Sequence, residues 1–266
     1  MGVALRFLTF LAPNMYPVYE AVASFVGQRL GLPTTLETGH AFDQLNSGEG
    51  DVAFICGLPY VLLARQQPPP VELIAAPVLQ GDRYGGKPIY YSDVIVRRDR
   101  PWTSFADLRG CSWAYNDPDS HSGYNITRYQ LVRMGETKGF FGQVVCAGWH
   151  QRAIRMVCHG EVDASAIDSQ VLAIELRDHP ELATQLNIMD VLGPTAIQPV
   201  VMPHAAPDSL KADVQAALLA MGDEPAGRSQ LAHGFVERFA AVCDADYDGI
   251  RVMLAAAEAI DFMVLR

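Results

Sequence analysis

The sequence predicts an α/β fold in two lobes, with helices flanking mainly parallel sheets. Apolar, β-prone runs alternate along the chain with helical segments of about ten to fifteen residues, which is typical of this class. The alternation fills two blocks, one ending near Val96 and the other near Leu192, and a closing segment follows. With 266 residues, half of them hydrophobic, the chain can bury sizeable cores and is not a low-complexity sequence.

The strands are predicted where short apolar runs end at turn-forming or polar residues. Pro13 and Asn14 end the first run, and the rigid Gln67–Pro70 segment precedes the fourth. The predicted strands are Ala4–Phe10, Thr34–Glu37, Asp51–Cys56, Val71–Leu79, Ser92–Arg97, Ser112–Tyr115, Gln143–Ala147, Asp163–Ile167, Asn187–Leu192 and Val200–Met202.

The helices are predicted from amphipathic spacing and from capping residues. In the first, Val18, Val22 and Val26 share one stripe and Gly31 follows as a stop signal, while Ser104 caps a short later helix. The predicted helices are Val18–Leu30, Phe42–Asn46, Tyr60–Gln66, Ser104–Leu108, Gly123–Met134, His150–Val157, Ser169–Arg177, Ser209–Met221 and Tyr247–Val264.

The charge balance excludes some classes of partner. A net charge of −10 and a pI near 5.1 argue against a nucleic-acid or anionic-membrane surface, because both need a basic face. A small anion stays compatible, since backbone N–H groups and hydroxyls can hold one locally. The odd, scattered cysteines lack a C-x-x-C pair and indicate free, mostly buried thiols in a reducing compartment. They are Cys56, Cys111, Cys146, Cys158 and Cys243.

The sequence as given carries no targeting or membrane signal. No window reaches the about 18–20 apolar residues that cross a bilayer. The opening residues lack a basic n-region and an A-x-A cleavage site. We therefore expect a cytoplasmic protein or an export product that has already been processed.

The most informative stretch is the loop Tyr115–Asn125, which follows a predicted strand and opens a helix. Ser120 and Ser122 bring two hydroxyls to the helix N-terminus, and Gly123 allows a close backbone approach. Converging hydroxyl and N–H donors suit a tetrahedral oxyanion, and the helix dipole adds about 0.3–1 kcal/mol. The alternative is that Ser120 or Ser122 only caps the helix.

Further strand ends carry polar side chains that could face the same crevice. Tyr60, after Gly57–Pro59, either donates a hydrogen bond or packs. His150, after Ala147–Trp149, is a candidate donor. Asp168 either caps the next helix or accepts from a proton-bearing part of a ligand.

Two other features could carry chemistry. The stretch Tyr90–Asp93 lies on the strand that leaves the first lobe, so its side chains could face the cleft. Cys146, His150, Cys158 and His159 could be imagined as zinc ligands, but their spacing fits no standard site. We expect no metal ion and no cofactor.

Taken together, these motifs resemble a known family. The octapeptide DPDSHSGY, Asp117–Tyr124, is similar to the D-P-x-S-x-S-G-Y anion loop of the substrate-binding components of phosphonate, phosphite and phosphate ABC transporters. The segments Gly57–Tyr60, Ala147–His150 and Gly160–Asp168 follow the family's order and spacing. The resemblance covers nearly the whole chain and points to the type II periplasmic-binding-protein fold.

The resemblance implies two lobes joined by two crossover strands, near Ser92–Arg97 and Ala196–Met202. Residues 1–96 with 197–266 would form lobe 1, and residues 97–196 would form lobe 2. The ligand would lie in the cleft between them, and the lobes would close around it by hinge rotation.

The same resemblance assigns ligand-binding roles. Trp149 and Pro59 stand where the family commonly has serine, so Trp149 either fills the pocket or stacks on a ring of a larger ligand. The residues implied to hold the phosphoryl or phosphonyl oxygens are Tyr60, Ser120, His121, Ser122 and His150, within a loop that Gly123 and Tyr124 complete. Tyr91 and Asp168 would line the rest of the pocket.

The expected function is capture of a small phosphate- or phosphonate-type anion without catalysis, by a monomer that serves an ABC permease. The resemblance implies a periplasmic location and no nucleic-acid partner. Two alternatives stay open: a cytoplasmic enzyme on the same fold, similar to enzymes of menaquinone or thiamine pathways, or a sensor subunit that reports to a kinase or regulator.

Overall fold

The computed structural model describes residues 4–265, and its contacts divide them into two compact units. One unit comprises the described residues up to Ile89 together with Ala196–Tyr247. The other comprises Tyr90–Thr195 and the described residues from Asp248 onward. Residues 1–3 and 266, which the predicted first lobe included, lie outside the described residues.

Both units combine one β-sheet with helices, which confirms the α/β class. The strands are β1 (Leu5–Thr9), β2 (Thr34–Thr38), β3 (Val52–Phe54), β4 (Val71–Leu79), β5 (Ile89–Arg97), β6 (Ser112–Tyr115), β7 (Gln143–Cys146), β8 (Ala164–Asp168), β9 (Leu186–Ala196), β10 (Val200–Pro203) and β11 (Val236–Ala240). The α-helices are α1 (Tyr16–Leu30), α2 (Gly57–Ala64), α3 (Ile126–Met134), α4 (His150–His159), α5 (Ser169–Asp178), α6 (Leu182–Gln185), α7 (Asp208–Met221), α8 (Pro225–Ala232) and α9 (Asp248–Glu258).

Shorter helical turns lie between several of these elements. A π-helical turn, His121–Asn125, leads directly into α3. The 3₁₀ turns are Pro13–Met15, Phe42–Leu45, Asp82–Tyr84, Phe105–Leu108 and Asp244–Tyr247.

The sheet of the first unit has the strand order β11-β4-β10-β3-β1-β2. β1 pairs in parallel with β2 and β3, whereas β10 runs antiparallel between β3 and β4. Apolar side chains fill its faces: the rings of Tyr19 and Phe54 stack 4.1 Å apart, and Phe7 lies beside Phe54. Burial of these large side chains is the main favourable term for this unit.

The sheet of the second unit has the strand order β7-β6-β8-β5-β9. β6 is parallel to β7 and β8, and β5 is antiparallel to β8, with Ser92 opposite Asp168. Trp113 of β6 is fully buried and stacks on Phe141 at 4.7 Å. The carboxyl ends of the parallel strands β6, β7 and β8 therefore share one edge, and each leads towards a helix.

The sheets are mixed, whereas the sequence predicted mainly parallel ones. Local strand–helix alternation indicates parallel neighbours, and it does so correctly for β1–β3 and β6–β8. It carries no information on β5 and β10, which pair with strands distant in sequence and run antiparallel to them. β11 and α8 were not predicted, because their segments are short and weakly patterned.

The C-terminal segment belongs to the second unit, whereas the sequence assigned it to the first lobe. Phe262 and Leu265 are buried in the same core as Trp113. The hydroxyl of Tyr124 donates to the carbonyl oxygen of Met263 at 3.2 Å. An apolar helix pattern predicts burial but not the sheet against which the helix packs, which is why this assignment was wrong.

No helix within residues 4–265 has both the length and the apolar character needed to cross a membrane.

Candidate functional site

The loop between β6 and α3 forms a tight cap over the start of the helix. Ser120 is the N-cap of the π-helical turn, and its Oγ accepts a hydrogen bond from the backbone N–H of Gly123 at 3.1 Å. The capping role predicted for Ser120 is therefore confirmed. Its side chain satisfies one backbone donor of the turn, and its hydroxyl hydrogen can still be donated to a further acceptor.

Two serines and a histidine form a continuous buried polar chain at this loop. Ser120 Oγ lies 3.4 Å from Ser122 Oγ, and Ser122 Oγ lies 3.0 Å from Nε2 of His150. His150 is the first residue of α4. The loop after β6 therefore contributes the two serines, and the loop after β7 contributes the histidine. The structure thus brings together three of the predicted ligand-binding residues.

His150, which belongs to this chain, and His121 beside it are both neutral at physiological pH. Burial lowers the pKa of His150 from its ordinary value of 6.5 to about 3. Burial, and secondarily the charge of Arg128, lower the pKa of His121 to about 3 as well. A neutral imidazole has one N–H donor and one acceptor nitrogen, so both rings act here as hydrogen-bonding groups rather than as charges.

Gly123 is required by its neighbour Asn116. A Cβ atom at position 123 would lie 2.0 Å from Asn116 Oδ1, closer than atoms can approach. The sequence predicted that the glycine admits a close approach, and the group that approaches in the structure is this side-chain amide. Asn116 follows β6 directly, a strand-end position that a search for polar residues could have found.

Asn125 and Arg128 are further buried polar residues that sequence reasoning missed. Both are almost completely inaccessible to solvent. An Nη of Arg128 donates to Asn125 Oδ1 at 2.9 Å, and the amide of Asn125 lies 3.2 Å from Nδ1 of His121. The sequence offered one signal for this pair: Arg128 lies three residues before Leu131 and so shares the buried face of α3, where a charged side chain is unusual.

Asp168 is the N-cap of α5. Its Oδ1 accepts from the backbone N–H groups of Gln170 at 2.8 Å and Val171 at 3.2 Å. The capping alternative is therefore confirmed, and a role in binding a ligand stays a prediction.

Tyr91 lies one position from Tyr90 on β5, and alternation along the strand puts the two side chains on opposite faces. Tyr90 is the one that lies beside His121, at a ring separation of 6.5 Å.

Tyr60 has its own polar partner within the first unit. Its hydroxyl donates to Asp244 at 2.6 Å, and its ring lies 4.8 Å from that of Tyr247. The sequence predicted a hydroxyl near the start of α2, which is confirmed. It did not predict the carboxylate, because Asp244 lies 184 residues away.

Trp149 is the N-cap residue of α4 and is 45% exposed, a high fraction for such a large apolar side chain. Both interpretations of it, filling a pocket or stacking on a ring, stay predictions.

Within residues 4–265, no group of three potential ligands is positioned to hold a metal ion. The prediction of mostly buried cysteines was wrong, because Cys146 and Cys243 are exposed and the other three are half-buried.

The fold in two α/β units is that of type II periplasmic substrate-binding proteins, and the strand ends of the second unit carry a loop lined by hydroxyl and imidazole groups. A family model described as the periplasmic substrate-binding protein of phosphonate ABC transporters matches residues 8–247. The chain belongs to this family, which accords with a transporter component and does not favour the enzyme or sensor alternatives.

Solved structures show the same fold at low sequence identity. A binding-protein component of an ABC phosphonate transporter from Pseudomonas aeruginosa matches with a TM-score of 0.83 and 18% identity, over 97% of this chain and 87% of that one. PhnD1 from Prochlorococcus marinus, solved in complex with methylphosphonate, matches with a TM-score of 0.82 and 16% identity, over 97% and 98%. XAC2383 from Xanthomonas citri, bound to ATP, matches with a TM-score of 0.74 and 16% identity, over 99% and 100%.

Proposed function

We propose that the loop Ser120–Tyr124, together with His150, binds the phosphonate or phosphate group of the transported ligand. The observation that carries this proposal is the buried chain from Ser120 through Ser122 to His150, with spacings of 3.4 and 3.0 Å. It lies at the N-terminal turn that leads into α3, where backbone N–H groups and the helix dipole favour an anion.

The two serines and the backbone N–H groups of this loop suit an oxyanion because each can supply a hydrogen. When the neutral His150 ring donates its Nε2–H to Ser122, the hydroxyl hydrogen of Ser122 is directed to the ligand. Ser120 already accepts from Gly123 and likewise has its hydrogen to give. Hydrogen bonds to a charged group contribute about 1.5–3 kcal/mol each, so three or four account for micromolar affinity, about 8 kcal/mol.

The ligand is bound and released unchanged in this proposal. A Ser–His pair performs nucleophilic chemistry only when the imidazole can take the hydroxyl proton, which is most efficient with a pKa near the working pH. The pKa of His150 is lowered to about 3 by burial, so its ring is a poor base. The pair is better suited to hold an anion than to attack a substrate.

The family supports the remaining parts of the proposal. We place the protein in the periplasm, where it delivers its ligand to an ABC permease, since family members are periplasmic components of such transporters. That it acts as a monomer stays a prediction. Methylphosphonate, the ligand in the PhnD1 structure, is the first ligand to test. The roles of Tyr60, Tyr91, Tyr124 and Asp168 as ligand contacts, and closure of the lobes, stay predictions.

The test is removal of both hydroxyls by Ser120→Ala with Ser122→Ala. Calorimetric titration with methylphosphonate and with inorganic phosphate should show micromolar binding to the wild type and a loss of at least about 100-fold in the double variant, because two charge-assisted bonds disappear. Ser165→Ala is the matched control, since Ser165 is a fully buried serine of β8 in the same unit.

Two results would contradict the proposal. The first is a double variant that binds both anions as tightly as the wild type. The second is turnover: mass spectrometry after incubation should recover methylphosphonate intact, and a new product would favour the enzyme alternative.

A further inference from the structure

We infer that Arg128 is a positioning residue that acts through the side-chain amide of Asn125 and fixes the His121 imidazole of the anion loop as its Nε2–H tautomer. The functional part of this inference rests on the proposed function. The structural part rests on two linked contacts within the second unit, Arg128 with Asn125 and Asn125 with His121, and on the burial of His121.

The first contact fixes the orientation of the Asn125 amide. Arg128 is buried on α3, where one Nη donates to Asn125 at 2.9 Å and the other to the carbonyl oxygen of Met263 at 3.0 Å. A guanidinium group only donates hydrogen bonds. The atom of Asn125 that faces Arg128 is therefore the amide oxygen, and the amide nitrogen must point the other way.

The second contact fixes which ring nitrogen of His121 lacks a hydrogen. The amide nitrogen of Asn125 lies 3.2 Å from Nδ1 of His121. An amide NH₂ group donates and does not accept, so Nδ1 is the acceptor. A hydrogen on Nδ1 would face the hydrogens of Asn125, and this arrangement is repulsive.

The third step follows from burial. Burial and the charge of Arg128 lower the pKa of His121 to about 3, so the ring is neutral at pH 7. A neutral imidazole carries one hydrogen. With Nδ1 as an acceptor, that hydrogen lies on Nε2, and the imidazole presents an N–H donor within the turn that also carries Ser122.

Arg128 also adds a positive charge beneath the loop. Its guanidinium lies 4.9 Å from the centre of the Tyr124 ring, and the charge of Glu258 acts on it without an ion-pair contact among residues 4–265. Burial lowers the pKa of Arg128. A buried cation without a bonded counterion favours an anion nearby, so the residue supports the loop both by charge and by fixing a donor.

The tautomer is measured directly by ¹⁵N NMR of histidine-labelled protein at pH 7, with His121→Gln used to assign its signals. We expect the wild type to show a neutral His121 with the proton on Nε2. Asn125→Asp puts a carboxylate oxygen against Nδ1, so the proton should move to Nδ1 or the ring should become charged. Arg128→Met releases the amide, and a mixture of tautomers should appear.

Two further variants distinguish a specific effect of Arg128 on the His121 tautomer from a general loss of order in the turn. Thr127→Val removes a buried hydroxyl that donates to the Gly123 carbonyl oxygen at 3.3 Å, so it perturbs the same turn without touching the two linked contacts. It should leave the tautomer unchanged. Arg128→Lys keeps a donor and a charge at this position and should preserve the Nε2–H form that Arg128→Met loses, even where Asn125→Asp fails to fold.

Binding of methylphosphonate, measured by calorimetry, tests the functional part. We expect Asn125→Asp and Arg128→Met to weaken binding by about tenfold or more, and Arg128→Lys to weaken it less. A wild type with Nδ1 protonated overturns the inference whatever the affinities. Binding that is lost in the two-serine variant but unchanged in Asn125→Asp and Arg128→Met overturns the functional part alone. A wild type that binds neither anion overturns the proposed function and leaves the NMR result standing.

Discussion

The turn from β3 into α2 and the turn from β6 into α3 share a local design but differ in their polar partners. Each follows a strand and opens a helix, and each presents a hydroxyl near the helix start. In the first unit the hydroxyl of Tyr60 donates to the carboxylate of Asp244. In the second unit the hydroxyl of Ser122 meets the neutral ring of His150.

We expect this difference to affect which ligand groups each turn can bind. A carboxylate beside the first hydroxyl repels an anion and occupies the phenolic hydrogen. In the second turn, neutral serine and imidazole groups carry no negative charge, and the serine hydroxyl hydrogens can be donated to an oxyanion. The strand–turn–helix pattern therefore predicts where a site can form, and the partner of each hydroxyl decides whether that site suits an anion.

The largest expected effect is acid sensitivity that originates in the second unit. His121 and His150 have an ordinary pKa of 6.5 in the unfolded chain and a pKa of about 3 when folded. Between these values the unfolded chain binds protons that the folded chain does not, so stability falls as pH falls. At pH 5 the two histidines together should cost about 4 kcal/mol relative to pH 7.

Urea unfolding at pH 7, 6 and 5 measures this loss, and His121→Gln with His150→Gln is the variant that should flatten it. His40→Gln is the control for the substitution itself, since His40 is an exposed histidine of the first unit. An equally steep fall in the double variant would show that other groups cause the acid sensitivity.

A smaller effect is expected from Gly123→Ala, which tests how tightly the second turn is packed. The new Cβ atom would lie 2.0 Å from Asn116 Oδ1, so the loop must shift. We expect a loss of about 1–3 kcal/mol of unfolding free energy, as for other overpacked sites, and weaker anion binding. Chemical denaturation and calorimetry measure the two effects.

Gly249→Ala is the matched control for this substitution. Gly249 lies on α9 with open space where a Cβ atom would be added, and alanine favours a helix over glycine by about 1 kcal/mol. The control should be neutral or stabilising. A Gly123→Ala variant that behaves in the same way would mean that the turn is more adaptable than its contacts indicate.

The parts of the site that the sequence predicts are those held by nearby residues. Ser120 caps a turn three residues away, and His150 follows the strand next to the one that leads into Ser122. Strand ends and helix starts are local properties, and for this reason the loop residues could be identified. The family resemblance added the chemistry of the ligand, which the residue types alone left open.

The missed parts depend on packing between distant segments. Asp244 reaches Tyr60 across 184 residues, and Met263 reaches Arg128 across 135. The assignment of the C-terminal helix to the first lobe was wrong for the same reason. Periodicity shows that a helix has an apolar face, but the face of α9 is equally compatible with either sheet until the whole core is assembled.

The smallest expected effect comes from the turn between β3 and α2, and it tests whether Tyr60 serves stability or ligand binding. If the Tyr60 hydroxyl serves mainly its bond to Asp244, Tyr60→Phe should cost about 1–2 kcal/mol of stability, as for other bonds to a charged group, and change anion affinity by less than about threefold. Asp244→Asn keeps an acceptor without the charge and should cost less. A double-mutant cycle on these two residues should give a coupling energy close to the cost of Asp244→Asn, because that substitution has no bond left to weaken once Tyr60 is replaced by phenylalanine. Loss of methylphosphonate binding in Tyr60→Phe, with stability unchanged, would instead make Tyr60 a ligand contact and reverse the contrast between the two turns.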